Sequence, residues 1–448
     1  MRNRLSLDFN RQRDRGRSAT VLPQQGALVA RFAASDLALA DGAAVTSWTD
    51  GTGGIVAAQA TGGLQPTFKA AQVGGKPCVS FNGAQYMQVA TPGAMKTAVD
   101  GYNFTVMIAC RVTGTTALGM AFSAAIPGSE IFAFLADGAR LGRFTGGSVP
   151  YTTLNQFVIQ GETMTNQGLS FSPQQYYAQH YVNGGATHGL INNGTITSGG
   201  FTIGGIGAGQ YMGKVDIFEI LVWNTTLTCT EYLQAEMAIR DKYAQAYPWA
   251  GQSRFYVFDG DSITMGVGAS AAEKTAPYLA AQSLGLPYGA WSNLGIGGVV
   301  PSQINTLAAS RVDNISALIG KDVALSCFEW YNQRAAAPTP YNASLAYLTA
   351  RKAASSRTKT VWGTSTDSQA DNASETNRGA YNSAWDSYWA GSHPLIDSYM
   401  PIHNNASIGV NGSITGPSTT YSGDGIHLND AGYVVLASLM QTALAALP

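Results

Sequence analysis

The stretch Val257-Phe-Asp-Gly-Asp-Ser-Ile-Thr264 carries a short apolar strand straight into a Gly-Asp-Ser turn, and a helix-like run from Glu273 to Leu284 follows the Gly266–Ala272 loop. Glycine permits a sharp exit from a strand, so this stretch fits where a strand ends at a sheet edge and hands the chain to a helix. It therefore predicts an open α/β sheet with Ser262 at the carboxyl edge, facing solvent. Taken alone, Ser262 reads first as a helix-capping serine, and only partners elsewhere in the chain overturn that.

The same alternation continues to the C-terminus. Strands are expected at Phe255–Phe258, Ala290–Leu294, Val323–Phe328, Thr360–Gly363 and Leu395–Tyr399. Helices are expected at Pro301–Ile319, Tyr341–Ala354, Glu375–Trp389 and Asp430–Leu447, which gives a five-stranded parallel sheet covered on both faces. From Ala27 to Trp223 the pattern differs: short strands such as Leu28–Phe32, Pro77–Phe81, Phe104–Val112, Tyr176–Val182 and Val215–Trp223 are separated by Gly, Asn, Ser and Thr, with little helical periodicity. That spacing predicts an antiparallel sandwich. Thr228 and Glu231 form a capping box for a helix reaching about Tyr243. The expected division is a basic arm (1–25), a sandwich (26–248), a linker (249–253) and an α/β domain (254–448).

Length and composition allow two or three domains with packed cores. Of 448 residues, 45% are apolar and only 12% charged, with 52 glycines and a net charge of −1, so neither a polyanion-binding surface nor an acidic tail is implied. Cys78, Cys110, Cys229 and Cys327 lie far apart and in no metal-ligand spacing, so they read as buried free thiols, with no metal or cofactor expected. The arm holds Arg2, Arg4, Arg11, Arg13, Arg15 and Arg17 against Asp8 and Asp14, while Leu5, Leu7 and Phe9 alternate with polar residues. The alternation reads as a strand that adds to a sheet edge of the same chain or a partner, an attachment element in preference to a nucleic-acid tail. No secretion signal and no run of ~20 apolar residues is present, so a soluble protein is expected.

Ser422-Gly-Asp-Gly-Ile-His-Leu-Asn-Asp-Ala-Gly432 supplies the partners that Ser262 needs. Asp424 and His427 are three apart, a spacing at which a carboxylate can reach Nδ1, fix the tautomer and leave Nε2 to take a proton from a serine. Two further blocks lie between them: Asn293-Leu-Gly-Ile-Gly-Gly298, and Trp330-Tyr-Asn-Gln333 after the strand Val323–Phe328.

Together these four blocks resemble the SGNH, or GDSL-type, hydrolase family. The resemblance implies a three-layer, flavodoxin-like α/β domain with Ser262 as nucleophile, His427 as base and Asp424 as acid. It also implies an oxyanion hole from the N–H groups of Ser262 and Gly298 and the side chain of Asn332. The third block departs from the family's Gly-x-Asn-Asp, keeping only the asparagine. No Gly-x-Ser-x-Gly elbow of an ordinary α/β-hydrolase occurs. Asp259 and Asp261 read as structural hydrogen-bonding residues. Trp330 and Tyr331 read as core residues or as a platform for a sugar face, and Trp385, Tyr388 and Trp389 as packing.

The first half resembles the concanavalin-A-like, laminin-G-like jelly roll, carried by Leu28-Val-Ala-Arg-Phe-Ala-Ala-Ser-Asp36, Gly75-Lys-Pro-Cys-Val-Ser-Phe-Asn-Gly83 and Ile217-Phe-Glu-Ile-Leu-Val-Trp223. A lectin-type sandwich beside an SGNH hydrolase implies a polysaccharide O-acyl esterase, with an O-acetylated glycan as substrate. With the basic arm, the whole resembles bacteriophage tail-associated esterases, which would place it on a virion with tail proteins or copies of itself as partners. Two other readings stay open: a non-catalytic glycan-binding virion subunit, and a cytoplasmic lipolytic or thioesterase enzyme.

Overall fold

The computed structural model describes residues 21–101, 103–116, 119–124, 132–136, 140–143, 147–150, 154–165, 175–193, 200–206, 210–328, 331–333, 338–367, 372–409 and 419–448. The expected arm strand at Leu5, Leu7 and Phe9 lies outside the described residues, as does Trp330.

The first half is built on two antiparallel sheets of eight strands each. At the centre of one sheet, Phe104–Val112 and Lys214–Trp223 lie side by side, and both are buried along nearly their whole length. Their alternation explains why they read as unbroken apolar runs. Phe104, Val106, Ile108 and Cys110 point into the core shared with the second sheet, where Trp48, Phe122 and Phe201 meet them. Met107 and Ala109 point the other way, into a second core formed with the helix Cys229–Lys242. That helix opens with the expected capping box: the Thr228 hydroxyl accepts from the Glu231 N–H, and the Glu231 carboxylate accepts from the Thr228 N–H at 2.9 Å. A helix at Ala94–Asp100 interrupts the strands and was not anticipated. Its apolar face is only Met95, Ala98 and Val99, too short for a periodic signal.

The second half has five parallel strands in the order Trp291–Asn293, Arg254–Gly260, Asp322–Phe328, Thr358–Gly363, Ser398–Met400. In chain order that is 2-1-3-4-5, the flavodoxin-like arrangement. Ile304, Ala308, Tyr347 and Trp385 bring the helices Pro301–Arg311, Thr339–Ala354 and Asn372–Ala390 onto one face. Ala280, Tyr433 and Leu436 bring Ala276–Ser283 and Asp430–Ala445 onto the other.

Several expected boundaries shift, three of them for a local reason. The helix after the Ser262 turn begins at Ala276, because Pro277 fits only its first turn, and a separate 3₁₀ turn covers Ala272–Lys274. The helix expected over 301–319 is two, Pro301–Arg311 and Ile315–Ile319. They part where the N–H groups of Val312 and Asp313 both turn back to the Ala308 carbonyl and Asp313 pairs with Arg351. The last strand is Ser398–Met400, since the Ile396 N–H closes a turn onto His393 and the Asp397 carboxylate accepts from the Thr360 N–H at 2.7 Å.

The two halves are packed against each other along a continuous apolar seam. Tyr181, Tyr232 and Trp249 belong to the same buried cluster as Phe255, Val257 and Ile296. Tyr181 stacks on Tyr232 with ring centroids 3.9 Å apart. The strand Gly185–Asn193 of the sandwich starts directly on the strand Trp291–Asn293, and a Cβ at Gly185 would collide with the Trp291 carbonyl. Gln179 donates to the Asn293 carbonyl at 2.7 Å, and the Ala186 N–H donates to the Ser292 hydroxyl at 3.1 Å. An interface this apolar restrains relative motion of the halves. All four cysteines are buried free thiols. Among the described residues no helix is long and apolar enough to cross a membrane, and no group of three His, Cys, Asp or Glu could hold a metal.

Candidate active site

Ser262 opens the one-turn helix Ser262–Met265 at the carboxyl end of the strand Arg254–Gly260, but it is buried there and does not face solvent as expected, because the His427 loop closes over it. The cap of that helix is Asp261, whose carboxylate accepts from the Ile263 N–H at 2.8 Å. The capping reading of Ser262 is thereby excluded: its hydroxyl is spent on another partner. That partner is His427, whose Nε2 lies 3.0 Å from Ser262 Oγ. His427 Nδ1 lies 2.7 Å from Asp424 Oδ2. Residues 165 positions apart in the chain thus form one hydrogen-bonded array.

The histidine loop is shaped by short-range bonds. Asp424 Oδ1 accepts from the N–H groups of Ile426 and His427 at 2.9 and 2.7 Å, which leaves Oδ2 aimed at the imidazole. The Ser422 hydroxyl donates to the His427 carbonyl at 2.8 Å and accepts from the Gly425 N–H at 2.9 Å. Burial raises the Asp424 pKa, but the His427 hydrogen bond and the two backbone N–H groups outweigh it and hold the carboxyl below its ordinary value. An ionised Asp424 keeps the proton of neutral His427 on Nδ1, so Nε2 is the acceptor for the serine hydroxyl.

The loop after the nucleophile and the helix after the histidine are laced together. Ser270 N–H and hydroxyl donate to Asp430 at 2.8 and 2.6 Å, and Tyr433 donates to the Val267 carbonyl at 2.6 Å. Gly268, with φ +94°, lies so close to this loop that a Cβ there would be 2.5 Å from the Leu428 carbonyl oxygen and 3.2 Å from the His427 Cβ. Only glycine satisfies both the backbone angle and the approach.

Asp259 and Asp261 are buried and structural, in line with their sequence reading. Asp259 accepts from Tyr347 at 2.9 Å and from the Gly260 N–H at 3.1 Å, and Arg311 stands 3.6 Å away. Burial raises its pKa more than these partners lower it. Burial likewise pushes Asp261 up to about 6, against the lowering effect of the Ile263 N–H and His427.

The second sequence block sits beside the nucleophile. Asn293 accepts from the Gly295 N–H at 3.1 Å, and the Ile296 N–H donates to the Gly260 carbonyl at 3.0 Å. Gly298 follows at an exposed turn. Among the described residues no acceptor is seen for its N–H or for that of Ser262. Asn332, in the 3₁₀ turn Tyr331–Gln333, donates an amide N–H to the Val299 carbonyl at 2.9 Å. That bond braces the Gly298–Val299 loop. The side chain of Tyr331, like Trp330, lies outside the described residues.

Two supporting residues had no sequence signal. Gln179 reaches the Asn293 carbonyl from the sandwich. Arg311 donates to the Leu294 carbonyl while facing Asp259, so one guanidinium ties the second block to the nucleophile strand. Both contacts exist only once the halves and layers have packed.

No family model matches the sequence, and no curated protein matches it. Among solved structures, the chain is similar to a GDSL-like lipase of Bacteroides thetaiotaomicron, at 16% identity and TM-score 0.34, covering 46% of this chain and 95% of that one. It is also similar to a Trypanosoma rangeli sialidase solved in complex with sialic acid, at 15% identity and TM-score 0.36, covering 52% of this chain and 35% of the sialidase. The chain thus spans about a third of the sialidase's length.

Proposed function

We propose that the chain is a serine esterase that removes acyl groups, O-acetyl foremost, from a polysaccharide through an acyl-enzyme. The observation that carries this reading is the unbroken run Ser262 Oγ–His427 Nε2–His427 Nδ1–Asp424 Oδ2, with links of 3.0 and 2.7 Å. Ser262 attacks the ester carbonyl as its proton passes to Nε2, and Asp424 stabilises the imidazolium. The N–H groups of Ser262 and Gly298 receive the oxyanion, and Asn332 contributes by holding the Gly298–Val299 loop. Collapse expels the sugar hydroxyl, which takes the proton from His427. Water then repeats the sequence and releases the carboxylate.

A polymer substrate is favoured by the openness of the rim. The Asp424 side chain is 54% exposed and His427 22%, so a large molecule can lie across the site, whereas a long acyl chain needs a covered apolar slot. We read the sandwich as a lectin-type jelly roll that holds the glycan. A setting on a virion rests on the basic arm together with the pairing of a lectin-type sandwich and a hydrolase.

The test compares a chromogenic acetyl ester with a long-chain ester, for the parent and for Ser262→Ala, followed by acetate release from an O-acetylated polysaccharide. The reading expects acetyl turnover that vanishes in the variant, little long-chain turnover and acetate from the polymer. A preference for the long-chain ester would replace it with a lipolytic one. Equal turnover by Ser262→Ala would remove the mechanism altogether.

A further inference from the structure

A cavity of about 190 Å³ opens in the seam between the halves, and its lining includes neither Ser262 nor His427. One wall is the outer face of two sandwich strands, through Thr163 and Gln179, and the facing wall is Leu307, Ser310 and Arg311 at the end of the helix Pro301–Arg311. Ile296, two residues before Gly298, closes the end nearest the second sequence block.

Charge, polarity and size together select what fits. Arg311 is the one ionic side chain in the lining, and it is already committed: it faces Asp259 at 3.6 Å and donates to the Leu294 carbonyl. An anion would therefore find little net charge to attract it. The Thr163 hydroxyl meets no partner among the described residues, and Ser310, which donates to the Leu307 carbonyl at 3.1 Å, keeps its acceptor capacity. A purely apolar guest would strip water from these groups and return no hydrogen bond. Leu307 and Ile296 supply an apolar patch suited to the C–H face of a ring. The volume lies below the usual range for drug-sized ligands and suits one small ring.

We propose that this cavity binds a single neutral sugar unit, at a site separate from the ester-cleaving one. The sugar class deepens the polysaccharide reading above and rests on it, but occupancy of the cavity does not require turnover. A seam site would hold one residue of a glycan against both halves at once, with the ester-bearing residue further along the chain.

The experiment uses the full chain carrying Ser262→Ala, so that a failed esterase reading leaves the binding result readable. Neutral hexoses, an N-acetylhexosamine and a hexuronate are titrated by saturation-transfer NMR and calorimetry. The expected result is a neutral sugar binding with a dissociation constant on the order of 1 mM, with the hexuronate weaker. Adding Ser310→Trp, which fills the mouth from an exposed helix position, should weaken binding by about tenfold or more. Thr163→Val, which removes only a hydroxyl, should weaken it several-fold, and thermal melts of both variants should stay close to the parent. The proposal is overturned if no neutral sugar binds, if the hexuronate binds tightest, or if Ser310→Trp binds as the parent does.

Discussion

Replacing Gly268 by alanine should disable the site while leaving the chain folded. A Cβ at this position would stand 2.5 Å from the Leu428 carbonyl oxygen, and ordinary contact begins near 3.4 Å, so something must yield by about 0.9 Å. The loop after the nucleophile is fastened through Ser270 to Asp430 and through Val267 to Tyr433. Those bonds tie this loop to the histidine side, so whichever side yields, the position of His427 relative to Ser262 changes. A relative displacement of that size would stretch their 3.0 Å contact to as much as roughly 3.9 Å, beyond hydrogen-bond reach. Losing a positioned general base costs about 10²–10⁴ in rate, or roughly 3–5 kcal/mol of barrier. The strained φ of +94° adds about 1–2 kcal/mol of destabilisation, which lowers Tm by only a few degrees in a chain of this size. The assay is kcat on p-nitrophenyl acetate with a parallel thermal melt. Gly251→Ala serves as the control, because its Cβ meets nothing within 4 Å. Turnover by Gly268→Ala within threefold of the parent, with a native melt, would refute the geometric reasoning.

Other outcomes follow from the same contacts. Asp424→Asn should cut kcat by about 10³–10⁴, because the N–H groups of Ile426 and His427 will keep the amide oxygen and turn the NH₂ toward Nδ1, imposing the wrong tautomer; a loss under tenfold would show that Asp424 is dispensable. Asp261→Asn keeps an equally good cap and removes a buried carboxyl whose pKa is pushed up to about 6. A raised carboxyl pKa means that the parent loses stability as pH climbs from about 4 to about 6, so the variant should match the parent near pH 4 and exceed it by about 2–3 kcal/mol near pH 7.5. Denaturant titrations at both pH values check this, and an equal gain at both would contradict it. Gln179→Ala should lower kcat several-fold on the same small ester if the sandwich positions Asn293; unchanged turnover would reduce that contact to packing.

What could be read from the sequence was local. The exit of Arg254–Gly260 into Ser262 and the Asp424–His427 spacing depend on residues a few positions apart, as do the capping box at Thr228 and the strand–helix alternation. The sequence reading missed what folding brings together. Nothing near Asn332 says that Val299, 33 residues away, will take its amide N–H. Nothing near Gln179 or Arg311 announces Asn293 or Asp259, because those contacts form across the seam and between layers. The break at Val312–Asn314 escaped for a related reason: the apolar pattern persists through it, and the pull of Arg351 on Asp313 comes from another helix. The boundary near residue 250 is plain in composition, yet in packing Trp249 and Tyr181 share a buried cluster with Phe255. A change in pattern along the chain marks where two architectures meet but not how tightly they adhere.

We propose above that Ser262 Oγ carries the acyl group of a covalent acyl-enzyme. A p-nitrophenyl phosphonate, which stalls once the nucleophile has attacked, tests it directly. After incubation the chain is digested and its peptides are weighed by mass spectrometry. One modification is expected, on Ser262, formed in step with loss of acetyl-ester turnover, abolished in Ser262→Ala and slowed by orders of magnitude in His427→Ala. Turnover lost with the label on another residue, or retained with Ser262 fully labelled, would contradict it.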